Sequence, residues 1–136
     1  MAPPTDAWIP TKSGNFWVTS DIATWDTAMM YCQQSGMRLV SLETAAKNDD
    51  LLSILESMNV AAVWTSGTDV VSGDGEYVWA STGEPFGYTN WVDGETPHSA
   101  NDNCVVLLTS HALGAGRSGW SVHDGKKSLI FVGESP

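Results

Sequence analysis

The chain has 136 residues, 42% of them apolar, with seven tryptophans, two cysteines and a formal net charge of −10 at pH 7, a length that suits one domain able to bury its own core. Six basic residues, scattered apart from Lys126-Lys127, against sixteen acidic ones argue against binding to a nucleic-acid backbone, which needs clustered Lys and Arg to displace counterions. No apolar run approaches a membrane span and no charged start leads into an apolar stretch, so the expectation is a soluble, mature chain: a Pro-containing tail over 1–14 and one domain over 15–136.

Asn15 to Ser20, through Phe16, Trp17, Val18 and Thr19, has the β-branched and aromatic content of a strand. A helix follows. Thr24 is its N-cap, Asp26 suits the positive end of its dipole, and Trp25, Ala28, Met29 and Cys32 recur at i, i+3, i+4, i+7 as one apolar stripe that Gly36 ends. Arg38 to Leu42 is a short extended link. Thr44 caps a second helix with the stripe Leu51, Ile54, Leu55 and Met58, and Lys47, Asn48, Asp49 and Asp50 read as its solvated face.

After Asn59 the texture changes to short strands: Ala62 to Thr65, a turn at Ser72-Gly73-Asp74-Gly75, then Glu76 to Trp79. Ser81 to Asn103 is polar and carries Gly83, Pro85, Gly87, Gly94 and Pro97, which predicts a long irregular loop of the kind that is usually functional. Cys104 to Leu108 is a buried strand, Gly114-Ala115-Gly116 a turn, and Gly119 to Val122 and Ser128 to Val132 the closing strands. The order predicts an α+β domain with two helices and a small, mostly antiparallel sheet.

No constellation supports an enzyme. His98, His111 and His123 lack the close spacing of a zinc site, and His123-Asp124 has no Ser or Cys in a nucleophile elbow to serve. Cys104 lies in a predicted buried strand, where thiols are inert; with Cys32 it forms one disulfide or none.

Taken in order, the residues are similar to a known family. Trp25-Asp26-Thr27-Ala28-Met29-Met30-Tyr31-Cys32 resembles a Trp-x-x-Ala-x-x-x-Cys signature, and Gly36-Met37-Arg38-Leu39-Val40-Ser41-Leu42 a Gly-x-x-Leu-Ala-Ser-Ile segment. Val63-Trp64-Thr65-Ser66-Gly67 stands for a Trp-Ile-Gly-Leu core strand in an arthropod-like form. Trp79, Gly83-Glu84-Pro85-Phe86 and Tyr88-Thr89-Asn90-Trp91 match the run into the long loop; Asn103-Cys104 and Trp120 match the strands after it. Together they resemble the C-type lectin-like domain from about Phe16 to Glu134, which implies an extracellular binding module of the α+β C-type lectin-like fold. The same resemblance makes Trp91 and Trp120 core fillers rather than sugar-stacking platforms.

The departures bear on function. The resemblance implies two disulfides, one from the first helix to the last strand and one from the Cys104 strand to the segment after Trp120. Gly133 and Gly125 stand where the second cysteines would be, so Cys32 and Cys104 are each expected to be unpaired. Losing such a bridge costs roughly 2–5 kcal/mol, so either the tryptophan-rich core compensates or the chain is an altered or cytosol-adapted version.

In members that bind sugar, calcium is held by Glu-Pro-Asn in the loop, an acid before the strand cysteine, and Asn-Asp after the tryptophan. An ion that accepts about 6–8 oxygens can then take vicinal sugar hydroxyls. Here Glu95 matches the first acid, while Thr96 and Pro97 replace the proline and asparagine; a one-residue shift would put Pro97 on the proline, between Thr96 and His98. Asp102 matches the later acid. Ser121 and Val122 occupy the Asn-Asp positions. The metal ligands implied are Glu95 and Asp102, giving weak calcium binding, with a Kd on the order of 10⁻⁴–10⁻³ M at best. His98, Asn101, Asn103, Ser121 and His123 complete the expected ligand-binding set. The reading is a module that recognises a glycan, in innate immunity by the arthropod-like resemblance, with weak or absent calcium dependence. The alternative is a calcium-independent protein-recognition or structural domain.

Overall fold

A computed structural model describes residues 8–70, 76–94 and 102–136. In chain order the elements are β1 (Ile9–Pro10), β2 (Asn15–Val18), α1 (Trp25–Gln34), β3 (Arg38–Leu39), α2 (Ala45–Ser57), β4 (Ala62–Thr68), β5 (Val78–Trp79), β6 (Glu84–Pro85), β7 (Cys104–Leu108), α3 (Ser110–Leu113), β8 (Gly119–His123) and β9 (Ile130–Glu134). The α+β class holds, with α3 as a third, single-turn helix that starts where the Thr109 side chain accepts from His111 N. None of the described helices is long and apolar enough to cross a membrane.

β9 organises the sheet. It pairs antiparallel with β2 and with β3, and parallel with β4. β4 in turn pairs antiparallel with β7 and β5, β7 with β8, and β5 with β6. Ile9 pairs with Phe16, so the sheet begins before Asn15, the first residue assigned to the domain from sequence. The predicted turn at 72–75 lies outside the described residues.

The period-two alternation of β7 divides the core. Val105 and Leu107 face a cluster with Leu51, Leu55, Trp79 and Trp120, while Cys104 and Val106 face another with Ala28, Cys32, Trp64 and Phe131. Three indoles are fixed by hydrogen bonds: Trp25 Nε1 to Thr65 O at 2.8 Å, Trp64 Nε1 to Ala23 O at 2.9 Å, and Trp120 Nε1 to Asn48 Oδ1 at 2.8 Å. The first two tie α1 and its entry to β4.

α2 departs from its sequence reading. Lys47 and Asn48, expected on the solvated face, are 9% and 1% exposed, and Met58, expected on the apolar stripe, is 46% exposed. Lys47 Nζ bonds Glu43 at 2.8 Å and makes a close contact with the carboxylate of Glu134 in β9. Glu134 Oε2 also accepts from Ser41 N at 2.7 Å. The ammonium is buried because it is paired. Met58 is the C-cap, and Asn59 at φ 59 turns the chain out of helical geometry.

Candidate functional site

The described part of the long loop is clamped to β8. Trp120 N donates to Asn90 O at 2.8 Å and Val92 N to Trp120 O at 2.9 Å, which makes Trp91 and Trp120 a parallel bridge. Gly119 permits this approach: at φ +153, a Cβ there would lie 3.0 Å from Asn90 O and 3.1 Å from Val92 Cα. Beneath the clamp Tyr77, Trp79, Phe86, Trp91 and Trp120 form a connected set of ring contacts, with Tyr88 against Trp120. Trp91 is 7% and Trp120 1% exposed. Both are core fillers, so neither offers a face to a sugar.

The sequence-predicted site residues separate into two groups. Glu95, His98 and Asn101 lie outside the described residues. Asp102, Asn103 and His123 meet at one end of the β7–β8 ladder, where Cys104 is directly opposite His123; Ser121 is two residues further along, opposite Val106. Asn103 is held through its carbonyl, which accepts from Thr68 Oγ1 at 2.8 Å and Asp69 N at 3.2 Å. Val122 is 8% exposed and packs into the aromatic cluster. Among the described residues no group of three or more His, Cys, Asp or Glu could hold a metal.

Burial, with Lys127 adding, holds His123 below the ordinary histidine value of 6.5, against the pull of Asp102. The unfolded chain therefore binds this proton more tightly. The stability linked to neutral His123 is present above 6.5 and is lost as pH falls from there through the lower folded value. Between about pH 8 and pH 5 the melting temperature of the protein is expected to fall more than that of His123→Gln; identical profiles would remove His123 from this account.

Beside this end of the sheet a cleft of about 490 Å³ is lined by Trp25, Asp26, Val70, Asn103, Cys104 and Asp124, among others. Cys32 and Cys104 are both buried and unpaired, and burial pushes each thiol up to about 12, so neither is a nucleophile at neutral pH. The positions of Gly125 and Gly133 are informative. A Cβ on Gly125 would lie 2.9 Å from Cys104 Sγ, and one on Gly133 3.4 Å from Cys32 Sγ. Each glycine faces the thiol it was matched with from sequence.

Sequence reasoning missed Asn48, whose buried amide fixes the indole of Trp120 beneath the loop. The signal was present: Asn48 precedes Leu51 by three residues and Leu55 by seven, which is the helical repeat of the buried stripe.

The family model described as "Lectin C-type domain" matches residues 21–132. The chain is 26% identical over 97 residues to the C-type lectin mosGCTL-7 of Aedes aegypti, covering 68% of this chain and 64% of that protein. It is 26% identical over 94 residues to salivary C-type lectin 2 of Aedes albopictus, covering 65% and 62%. It thus spans less than two thirds of the length of these relatives. Among solved structures, human lithostathine superposes with a TM-score of 0.79 at 25% identity, covering 97% of this chain and 90% of that one. The C-type lectin domain of murine dendritic cell inhibitory receptor 2, in complex with an N-glycan, does so with a TM-score of 0.80 at 22% identity, covering 98% of each.

Proposed function

Because the chain belongs to the family of C-type lectin domains, which are not enzymes, we propose that it is a secreted binding module recognising a glycan through the long-loop region, with calcium weakly involved or dispensable. The observation that carries the reading is the loop base. Within 86–92, Phe86, Tyr88 and Trp91 pack against Trp120 of β8 and the backbone of Asn90 and Val92 bonds to it, an investment of aromatic area that holds a surface in one shape. The ligand-binding set proposed is Glu95, His98, Asn101, Asp102, Asn103, Ser121 and His123, with Glu95 and Asp102 as weak calcium ligands. Microbial surface glycans are the ligand class that suits a relative of insect lectins.

One observation favours a second reading. Val122, at a position where the family carries a ligating side chain, is packed into the apolar core. A surface without that oxygen can recognise a protein and needs no ion.

Two measurements separate the readings. Retention on mannose, galactose and N-acetylglucosamine resins supports glycan recognition, and no retention on any of them supports a protein ligand. Calcium followed by melting temperature tests the weak site. A Kd on the order of 1 mM gives, at 1 mM calcium, about 0.4 kcal/mol of stabilisation and a shift of about 2 °C. A shift several times larger would mean a complete calcium site.

A further inference from the structure

Apart from the loop surface, and independently of the glycan reading, the face between α1 and β3 holds a cavity of about 160 Å³. That is close to the size of an apolar cavity of about 150 Å³ that admits benzene. Met29, Met37, Leu39 and Ala80 give it an apolar wall, and Arg38 and Gln33 supply the polar groups. The Ser81 hydroxyl at its edge already donates to Leu39 O at 2.7 Å.

Arg38 is the anomaly. Its Nε is buried and has no hydrogen-bond partner, and the ion pairs among the described residues involve Lys47 and His111, not Arg38. A buried donor without an acceptor is costly unless something brings it one. A guanidinium presents its donors as a planar fork that matches a carboxylate, and two methionine side chains adapt to whatever apolar body accompanies it. A concavity that sets an apolar wall beside a charged polar group suits a small molecule with one apolar and one polar end. The net charge of −10 repels anions at long range, so selection rests on contact with the fork.

We propose that this cavity binds a small organic anion: a carboxylate on a short aliphatic chain, with the carboxylate on Arg38 and the chain against Met29, Met37 and Leu39. The amide of Gln33, on the exposed side of the helix, closes the open edge.

The methionine methyl groups are built-in reporters. In protein carbon-13 labelled at these methyls and titrated with butanoate, the Met29 and Met37 signals are expected to shift along one saturable curve. Those of Met30 and Met58, which are 56% and 46% exposed and do not line the cavity, stay in place. Butanamide, of the same size without the charge, gives less than about a tenth of the response. Arg38→Gln abolishes the butanoate response while its melting temperature stays the same or rises, because a buried donor without an acceptor has been removed. Arg38→Lys keeps the charge without the fork and binds at least fivefold more weakly, which covers the case in which Arg38→Gln folds poorly. Equal shifts at Met30 and Met58, an equal response to butanamide, no response to butanoate, or undiminished binding by Arg38→Lys each overturn the proposal.

Discussion

Gly125→Cys is expected to close a disulfide with Cys104 and to raise stability by about 3 kcal/mol in oxidised protein, a gain that a reductant removes. A Cβ on Gly125 would stand 4.0 Å from Cys104 Cβ and 2.9 Å from its sulfur, and bridged cysteines hold their Cβ atoms about 3.5–4.5 Å apart. The nearest other neighbour is Trp25 Cβ at 3.4 Å, an ordinary contact, so the new side chain enters with little displacement. Because burial pushes the Cys104 thiol up to about 12, exchange in the folded protein is slow, and the bridge is best formed during oxidative refolding. Gly125→Ser controls for the added volume. Gly133→Cys is the instructive contrast. It would close a longer loop to Cys32 and should gain more on chain entropy alone, yet its Cβ would fall 2.6 Å from Met37 Sδ. Met37 must move first, so the gain is expected to be smaller than at position 125. Denaturant unfolding of each variant with and without reductant measures both, and equal midpoints for oxidised and reduced Gly125→Cys would refute the geometry.

Trp120→Ala is expected to cost about 3–5 kcal/mol for the lost ring and about 1–3 kcal/mol more for the stranded amide of Asn48. Against a total stability of about 5–15 kcal/mol, that leaves the domain at or beyond the edge of folding. The indole is 1% exposed, its Nε1 donates to Asn48 Oδ1 at 2.8 Å, and its ring meets those of Trp79, Phe86, Tyr88 and Trp91. Trp120→Phe separates the terms: it keeps most of the packing and loses the hydrogen bond, for a cost of about 1–3 kcal/mol. Asn48→Ala should cost a similar amount, and the double variant clearly less than the sum, because both changes remove the same bond. Additive losses in urea unfolding would show that the two residues are not coupled.

Much of the fold was legible because local chemistry and tertiary packing agree. The Thr24 and Thr44 caps, the stripe of Trp25, Ala28 and Cys32, and the apolar run of β7 each named their element before the sheet was known. The failures share one cause. Lys47 and Asn48 were assigned to water by residue type, although their spacing from Leu51 places them inside; what keeps them there is Glu134 and Trp120, far away in sequence. Met58 was assigned to the core by type and spacing, but the helix ends one residue before it. α3 is too short to show a period. For the site, motif order named Asp102, Asn103, Ser121 and His123 but not that the chain brings the first two to the end of the ladder that carries the others, and the burial of Val122 and the fit of Gly125 against Cys104 are facts of packing that no motif states.

The position of β9 among β2, β3 and β4 carries a consequence for how the domain is made. Three strands synthesised early have unsatisfied edges until a segment more than sixty residues downstream of the last of them emerges from the ribosome, and contacts of such high sequence separation form slowly. During translation the nascent chain exposes those edges to any neighbour, so its yield in a cell depends on chaperones or on speed of release as much as on the stability of the finished domain.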